Sequence, residues 1–187
     1  MGLESSIENK NFTEEQVMQL ASDLHNKQWK ESFKKQNPEA QTRIKINVMG
    51  KWKNYPQDLA KVSEAEKAEM EKIVRENPTF DTPGVCEDIL NTPFEKLSEK
   101  WQAENVGAAR FALELVTLAS ESDALEGLAD KVHQNWSKNN SWDDLSKIPY
   151  DQLSEEEKEK DRQHVLWAKN ILGKNIFRGQ EKEVRMQ

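Results

Sequence analysis

Polar and apolar positions along this chain recur mainly with the period of an α-helix. The clearest example is a stripe of six residues, which are Leu125, Leu128, Ala129, Val132, His133 and Trp136. Because helical residues three and four positions apart share one face, this spacing predicts a helix with one buried side. Similar segments recur along the chain. We predict helices over about 13–35, 63–76, 98–119, 122–138 and 154–173.

Three of these predicted helices begin with the pattern of a capping box. Thr13, Ser63 and Ser154 are each followed, three positions later, by Gln or Glu. In a capping box the hydroxyl accepts a backbone N–H of the first turn, and the Gln or Glu side chain reaches back to the N–H of the cap residue. Local chemistry therefore supports these three helix starts in addition to the apolar stripe.

One short segment alternates polar and apolar residues with a period of two. Residues 43–48 read RIKINV, which is typical of a half-buried β-strand. The outward face of this strand would carry Arg43, Lys45 and Asn47. The residues that follow contain several prolines and indicate a loop-rich excursion from a helical scaffold. The predicted fold is mainly α, with a short strand-and-loop insertion at about 36–91.

Two stretches of the chain align with each other without a gap, which indicates a degenerate tandem repeat. They are 93–116 (PFEKLSEKWQAENVGAARFALELV) and 149–172 (PYDQLSEEEKEKDRQHVLWAKNIL). The aligned pairs include Phe94 with Tyr150, Gln102 with Lys158, Asn105 with Asp161 and Val106 with Arg162. We predict four segments: an N-terminal arm (1–11), a first copy that holds the insertion (12–119), a second copy (120–179) and a C-terminal tail (180–187).

Each copy also has a helical segment in which a Trp follows a His. Trp29 follows His25 by four positions, whereas Trp136 follows His133 by three. Both spacings place the two rings on one helical face, with an offset of one residue between the copies. The simplest interpretation of His133 and Trp136 is that they belong to the core, with the imidazole hydrogen-bonded to a buried backbone group.

The composition indicates a heavily solvated surface. Hydrophobic residues make up 35% of the chain and charged residues 33%, and the formal net charge is −7. General binders of DNA, RNA or membrane surfaces need a basic footprint, so the charge argues against all three. The single cysteine, Cys86, excludes an internal disulfide and a multi-cysteine zinc site, which favours the cytoplasm. No stretch has the pattern of a signal peptide or a membrane span.

The second copy resembles the RyR domain, a module found as tandem repeats in ryanodine receptors and as compact bacterial and phage proteins. The matching pattern is a Leu-Ala…His-x-x-Trp helix, then Pro-Tyr-x-x-Leu, then a helix with Lys-x-x-Asp-Arg. The residues that fit it are Leu128, Ala129, His133, Trp136, Pro149, Tyr150, Leu153, Lys158, Asp161 and Arg162. The first copy departs from this pattern at Gln102 and Val106. The resemblance implies pseudo-symmetric helical repeats and a cytosolic recognition module for a nucleotide-derived ligand, in bacterial or phage signalling and defence.

A small anionic ligand with a flat base needs three kinds of protein group, and the chain offers candidates for each. The candidates for aromatic stacking are Trp29, Trp101, Trp136, Trp142 and Tyr150. The candidate cations for a phosphate are Arg43, Lys45, Lys158 and Arg162. The candidates for orientation by a neutral group are His25, Asn91, Asn105 and His133. If the copies pack pseudo-symmetrically, we expect the ligand in the cleft between them.

Structural interpretations of the same residues stay open at this point. Trp101 suits a core position, and residues 155–162 suit a solvated helix face with ion pairs between successive turns. Arg43 and Lys45 are the preferred binding residues, because a strand that presents two cations in an acidic protein has no evident packing reason.

These patterns favour a non-catalytic sensor or sequestering protein for a small anionic, nucleotide-like ligand. The alternative is a protein-interaction module with an exposed apolar patch in place of a basic, aromatic-lined concavity. A third hypothesis is a phosphodiesterase that uses His25 and His133 as base and acid. The chain has no H-E-x-x-H, Walker or G-x-G-x-x-G motif, and we expect neither a catalytic residue nor a cofactor. The sequence does not determine whether the protein self-associates.

Overall fold

The computed structural model describes residues 11–141 and 143–173. Trp142, the C-terminal tail and all but the last residue of the predicted N-terminal arm lie outside the described residues. The described chain is mainly helical, as predicted, and carries one four-stranded antiparallel sheet. No helix in the described ranges combines the length and apolarity needed to cross a membrane.

The helices agree with the predicted segments to within about three residues. They are α1 (Glu14–Asp23), α2 (Lys30–Gln36), α3 (Glu64–Glu76), α4 (Glu99–Leu118), α5 (Leu125–Asn139) and α6 (Glu155–Ile171), and a π-helix (Leu24–Trp29) joins α1 to α2. In all three predicted capping boxes the hydroxyl of the cap residue accepts the expected N–H. At the first of them, the Gln16 side chain also accepts the backbone N–H of Thr13.

The insertion holds more sheet than the sequence indicated. The predicted strand is present as β1 (Ile44–Val48), and it is joined by β2 (Lys51–Tyr55), β3 (Asp81–Thr82) and β4 (Cys86–Asp88). The strand order is β2-β1-β4-β3, with antiparallel pairing throughout. The loop-rich stretch predicted after β1 therefore contains three further strands that were not predicted. Two of the missed strands have only two or three residues, which is too short for a period of two to appear.

The described residues divide into two compact units. The sheet unit comprises residues 21–105, and the helical unit comprises residues 11–20, 106–141 and 143–173. In the sheet unit, the apolar side chains of β1 pack with Met70 and Ile73 of α3 and with Cys86. In the helical unit, the buried residues include Leu113, Leu128, Ala129, Val165 and Ala168. The boundaries proposed for the two repeat copies stay a prediction.

Candidate functional site

The aligned stretches fold in the same local way. After Pro93 the chain forms a short 3₁₀ helix (Phe94–Lys96), and after Pro149 it forms another (Tyr150–Gln152). The first residue of each is a buried aromatic side chain. A long helix then begins three residues after each 3₁₀ helix ends, α4 in the first copy and α6 in the second.

A buried histidine holds the backbone at each of these turns. The Nε2 atom of His25 lies 2.9 Å from the carbonyl oxygen of Thr92, and that of His133 lies 2.8 Å from the carbonyl oxygen of Ile148. Both carbonyls directly precede the aligned prolines. The two residues are only 4% and 5% exposed, and burial lowers the pKa of His25. These contacts are structural, and a ligand or acid–base role for either histidine stays a prediction.

The tryptophan beside each histidine stacks on it despite the different spacing. The ring centroids of His25 and Trp29 are 5.4 Å apart, and those of His133 and Trp136 are 5.9 Å apart. The first pair lies in the π-helix, whose i→i+5 hydrogen bonds take up one residue more than those of an α-helix. The π-helix thus accommodates the one-residue offset between the copies.

Carboxylates surround Arg162 in the helical unit. Its guanidinium donates to Glu126 at 2.6 and 3.2 Å, to Glu155 at 3.0 and 3.1 Å and to Glu159 at 3.2 Å. The Tyr150 hydroxyl also donates to Glu126, at 2.9 Å. The contact with Arg162 lowers the pKa of Glu126, and the contact with Glu126 raises the pKa of Arg162.

Lys158 joins the same network. Its Nζ lies 3.6 Å from a carboxylate oxygen of Glu155 and 5.8 Å from the centroid of the Tyr150 ring. The structure therefore brings together three predicted site residues, Tyr150, Lys158 and Arg162. It also pairs both cations with acidic side chains of the same unit, so that they stabilise α6 and its contact with Glu126 of α5.

The outward face of the sheet gathers lysines around a tryptophan. The Nζ atoms of Lys45 and Lys100 lie 5.3 and 5.0 Å from the centroid of the Trp101 ring, within the range of cation–π attraction. Trp52 packs edge-on against Trp101 at 5.0 Å. Trp52 stands opposite Asn47 in the β1–β2 register, so both side chains belong to this face.

The remaining predicted residues of the sheet unit have other partners. The guanidinium of Arg43 lies 5.5 Å from the Phe33 ring, and burial lowers the pKa of Arg43. The Asn91 amide donates to the carbonyl oxygen of Gln41 at 2.9 Å and to Asp88 at 2.5 Å. The Asn105 amide donates to the Trp101 carbonyl oxygen at 2.8 Å. Arg43 and Lys45 thus contact different aromatic rings, and both asparagine amides bond within their own unit.

An open cleft of about 540 Å³ lies in the sheet unit beside Trp52. It is lined by Asn47, Trp52, Pro83, Gly84, Leu97, Ser98, Glu99 and Lys100. The buried carboxylate of Glu87 accepts the backbone N–H groups of Ser98, at 2.8 Å, and Gly84, at 3.3 Å. Glu87 thereby joins the start of α4 to the turn between β3 and β4, which are two walls of the cleft.

Three buried polar atoms on this side of the sheet unit have no hydrogen-bond partner among the described residues. They are the Ser98 hydroxyl in the cleft lining, the Trp101 Nε1 and the Asn54 side-chain oxygen. Asn54 lies opposite Lys45 in the β1–β2 register. Buried polar atoms in folded proteins are nearly always hydrogen-bonded. Their concentration here marks a region of unused hydrogen-bonding capacity.

The cleft beside Trp52 is the candidate binding site, because an aromatic ring and a cation line it and a buried, unpaired hydroxyl lies in its wall. Sequence reasoning missed Trp52 and Lys100. Trp52 could have been found only by pairing residues 51–55 with the predicted strand, and Lys100 only by placing the start of α4 beside that sheet. In comparisons with known proteins, no family model, no curated protein and no solved structure matches this chain.

Proposed function

We propose that this protein recognises, without catalysis, a small anionic ligand that carries a planar ring, of the nucleotide type, in the cleft beside Trp52. The observation that supports this most is that Trp52 and Lys100 line one cleft, with the unpaired Ser98 hydroxyl buried in its wall. A base needs a flat aromatic surface, and a phosphate needs a cation and hydrogen-bond donors.

The start of α4 supplies the second requirement. This helix has 20 residues, and its first turn begins at the cleft. The first N–H groups of a helix have no partner within the helix, and together with the helix dipole they attract an anion. Lys100 is paired with Glu104 at 2.7 Å, but both side chains are more than 40% exposed. Exposed ion pairs contribute only about 0–1 kcal/mol, so a ligand phosphate can compete for Lys100. Glu99 also lines the cleft, and its carboxylate repels an anion. The affinity for an anionic ligand should therefore depend strongly on Lys100.

We propose further that the two copies are RyR-like repeats, with a sensing or sequestering role in bacterial or phage nucleotide signalling and a place in the cytoplasm. The matched histidine contacts, 3₁₀ helices and stacked His–Trp pairs support the repeat. In this proposal the second copy is mainly structural, because its cations are paired internally. The first copy supplies the site through its inserted sheet.

A protein-interaction module is the second candidate, and two exposed apolar side chains favour it. Met49, in the turn between β1 and β2, is 79% exposed, and Val85, in the turn between β3 and β4, is 38% exposed. The two turns are neighbours, because the N–H of Asn47 donates to the carbonyl oxygen of Val85 at 2.9 Å. Pro83 and Gly84 of the second turn line the cleft, so a protein partner on these turns would compete with a small ligand.

The test is a thermal-shift screen of the full chain against mononucleotides, cyclic mono-, di- and trinucleotides and ADP-ribose-type compounds, followed by calorimetry. A ligand that binds only the folded state must raise the melting temperature. We expect one class to raise it by several degrees and to be recovered intact. Trp52→Ala and Lys100→Gln should each weaken binding at least tenfold, whereas the exposed-lysine control Lys131→Gln should leave it unchanged.

Two results would redirect the proposal. Recovery of a cleaved ligand would show an enzyme. The absence of any shift across the panel would contradict the ligand hypothesis and favour the interaction module. Arg43→Ala tests the cation that directly precedes β1: if it abolishes binding while Lys100→Gln does not, the ligand binds near Phe33 and outside the cleft.

A further inference from the structure

A buried imidazole and a carboxyl group face each other between α5 and α6, inside the helical unit. The Nδ1 atom of His133 and the Oδ2 atom of Asp161 are 3.5 Å apart, and their side chains are 7% and 14% exposed. The other ring nitrogen, Nε2, lies 2.8 Å from the carbonyl oxygen of Ile148 and 3.5 Å from the Ser137 hydroxyl.

The carbonyl of Ile148 decides where the imidazole carries its hydrogen. A carbonyl oxygen can only accept, so Nε2 must be protonated, and the Nδ1 of a neutral ring then has a lone pair. That lone pair faces Asp161, whose ionised carboxylate also can only accept. The two atoms repel each other unless a proton lies on one of them. The pair is then either imidazolium with carboxylate or neutral imidazole with carboxylic acid.

The surroundings of Asp161 favour retention of this proton. Burial raises the pKa of Asp161 to about 7, and the nearby carboxylates of Asp130 on α5 and Glu157 on α6 act in the same direction. His133 and Lys160 act in the opposite direction. Lys160, however, already lies 2.8 Å from Glu157, which partly neutralises it.

We propose that His133 and Asp161 share one proton and act as a pH-sensitive latch that holds α5 and α6 together. With the proton in place, the two helices are joined by a charge-assisted or neutral hydrogen bond. Without it, a carboxylate faces a lone pair in a buried position and the helical unit is destabilised. The first copy has no equivalent pair, because its aligned residue, Asn105, is neutral and donates to the carbonyl of Trp101.

Proton linkage gives the direction of the effect. An Asp carboxyl in an unfolded chain titrates near 3.8, well below its value in the folded protein. An imidazole in the unfolded chain, however, also holds one proton up to about pH 6.5. The folded pair therefore binds more protons than the unfolded chain, and the free energy of unfolding falls, only as the pH rises from about 6.5 through about 7. Above that range the loss is complete. Asp161→Asn removes the titration and leaves an amide that can donate to Nδ1, as the protonated pair does.

The experiment is urea denaturation of the full chain between pH 5 and 8.5, for the unmodified protein, Asp161→Asn and the exposed control Asp151→Asn. We expect the urea midpoint of the unmodified protein to fall with rising pH relative to Asp161→Asn. The Asp151→Asn midpoint should follow the unmodified protein. Parallel curves for the unmodified protein and Asp161→Asn would overturn the proposal.

A second measurement uses the unmodified protein alone, so it decides the matter even if Asp161→Asn fails to fold. Nuclear magnetic resonance reports the protonation of each ring nitrogen of His133 and the titration of the Asp161 carboxyl carbon. We expect a protonated Nε2 throughout and a carboxyl titration near pH 7. A carboxyl group that titrates near pH 4, with a His133 ring that carries its neutral hydrogen on Nδ1, would overturn the latch.

Discussion

The two predicted copies build the same turn but surround it with different polar groups. In both, a buried histidine donates to the carbonyl before a proline, and a stacked tryptophan covers the ring. In the second copy, the helix that follows carries Lys158, Asp161 and Arg162. The aligned residues of the first copy, Gln102, Asn105 and Val106, are all uncharged.

This difference separates contacts that form the turn from contacts that serve one copy alone. The turn needs a donor for one partly buried carbonyl and an aromatic side chain for the core, and both copies supply them. The charged side chains are not needed to form the turn. In the second copy they form an internal network around Arg162. In the first copy, Lys45 lies on the inserted sheet, and Lys100 lies beside it and lines the cleft.

The largest effect should come from removal of either histidine. His25→Ala and His133→Ala each leave a partly buried carbonyl without its donor and a cavity beside a tryptophan. We expect each to cost about 2–4 kcal/mol of the free energy of unfolding. Urea denaturation measures the cost, and hydrogen exchange shows which copy loses protection.

Gln134→Ala, at an exposed position of α5, is the control for these two variants. If the variant of one copy lost less than about 1 kcal/mol of the free energy of unfolding and the other did not, the two histidine contacts would not be equivalent.

A smaller effect should follow loss of the charged network of the second copy. Arg162→Ala leaves Glu126 and Glu159 without their cation, and Glu155 with Lys158 alone. Because Arg162 is largely buried but the carboxylates are about half or more exposed, we expect a cost of about 1–2 kcal/mol. The cost should shrink in high salt, which screens exposed charges.

A double-mutant cycle with Glu126→Ala tests whether this network is one unit. The combined variant should lose less stability than the sum of the two single variants, since Arg162 and Glu126 are in direct contact. Additive losses would mean that Arg162 contributes by packing alone and that the charge difference between the copies has little consequence.

The smallest effect should come from deletion of Lys27, an exposed residue of the π-helix. The deletion restores the His-x-x-Trp spacing of the second copy, so the segment can become a regular α-helix with its rings still stacked. The ion pair that it removes, with Asp23, has an exposed lysine and contributes little. We expect a change in stability of no more than about 1 kcal/mol.

Deletion of Gln134 is the matched control for this prediction. That residue lies between His133 and Trp136 in a regular α-helix, so its removal must rotate one ring away from the other and should destabilise the second copy strongly. Equal effects of the two deletions would show that the π-helix does not arise from one inserted residue.

Local patterns in the sequence determined most of the helical scaffold and the strand β1. A capping hydroxyl and an apolar stripe act within a few residues, so Thr13, Ser63 and Ser154 could be placed on helix starts before any tertiary contact was known. The alternation over 43–48 likewise indicated which side chains of β1 are buried.

Only the tertiary structure decided where the candidate binding site lies and which partners its charged residues have. Trp52 meets Trp101 because β2 pairs with β1 and because α4 begins beside the sheet, and neither contact is encoded in a local pattern. The sequence allowed Arg162 as a phosphate ligand. In the structure its guanidinium donates instead to Glu126, 36 residues away. The burial that raises the pKa of Asp161 is likewise a property of packed helices. Hydrogen-bond partners and desolvation depend on residues distant in the chain, whereas helix periods and caps depend on near neighbours, and this difference separates what could be predicted from what could not.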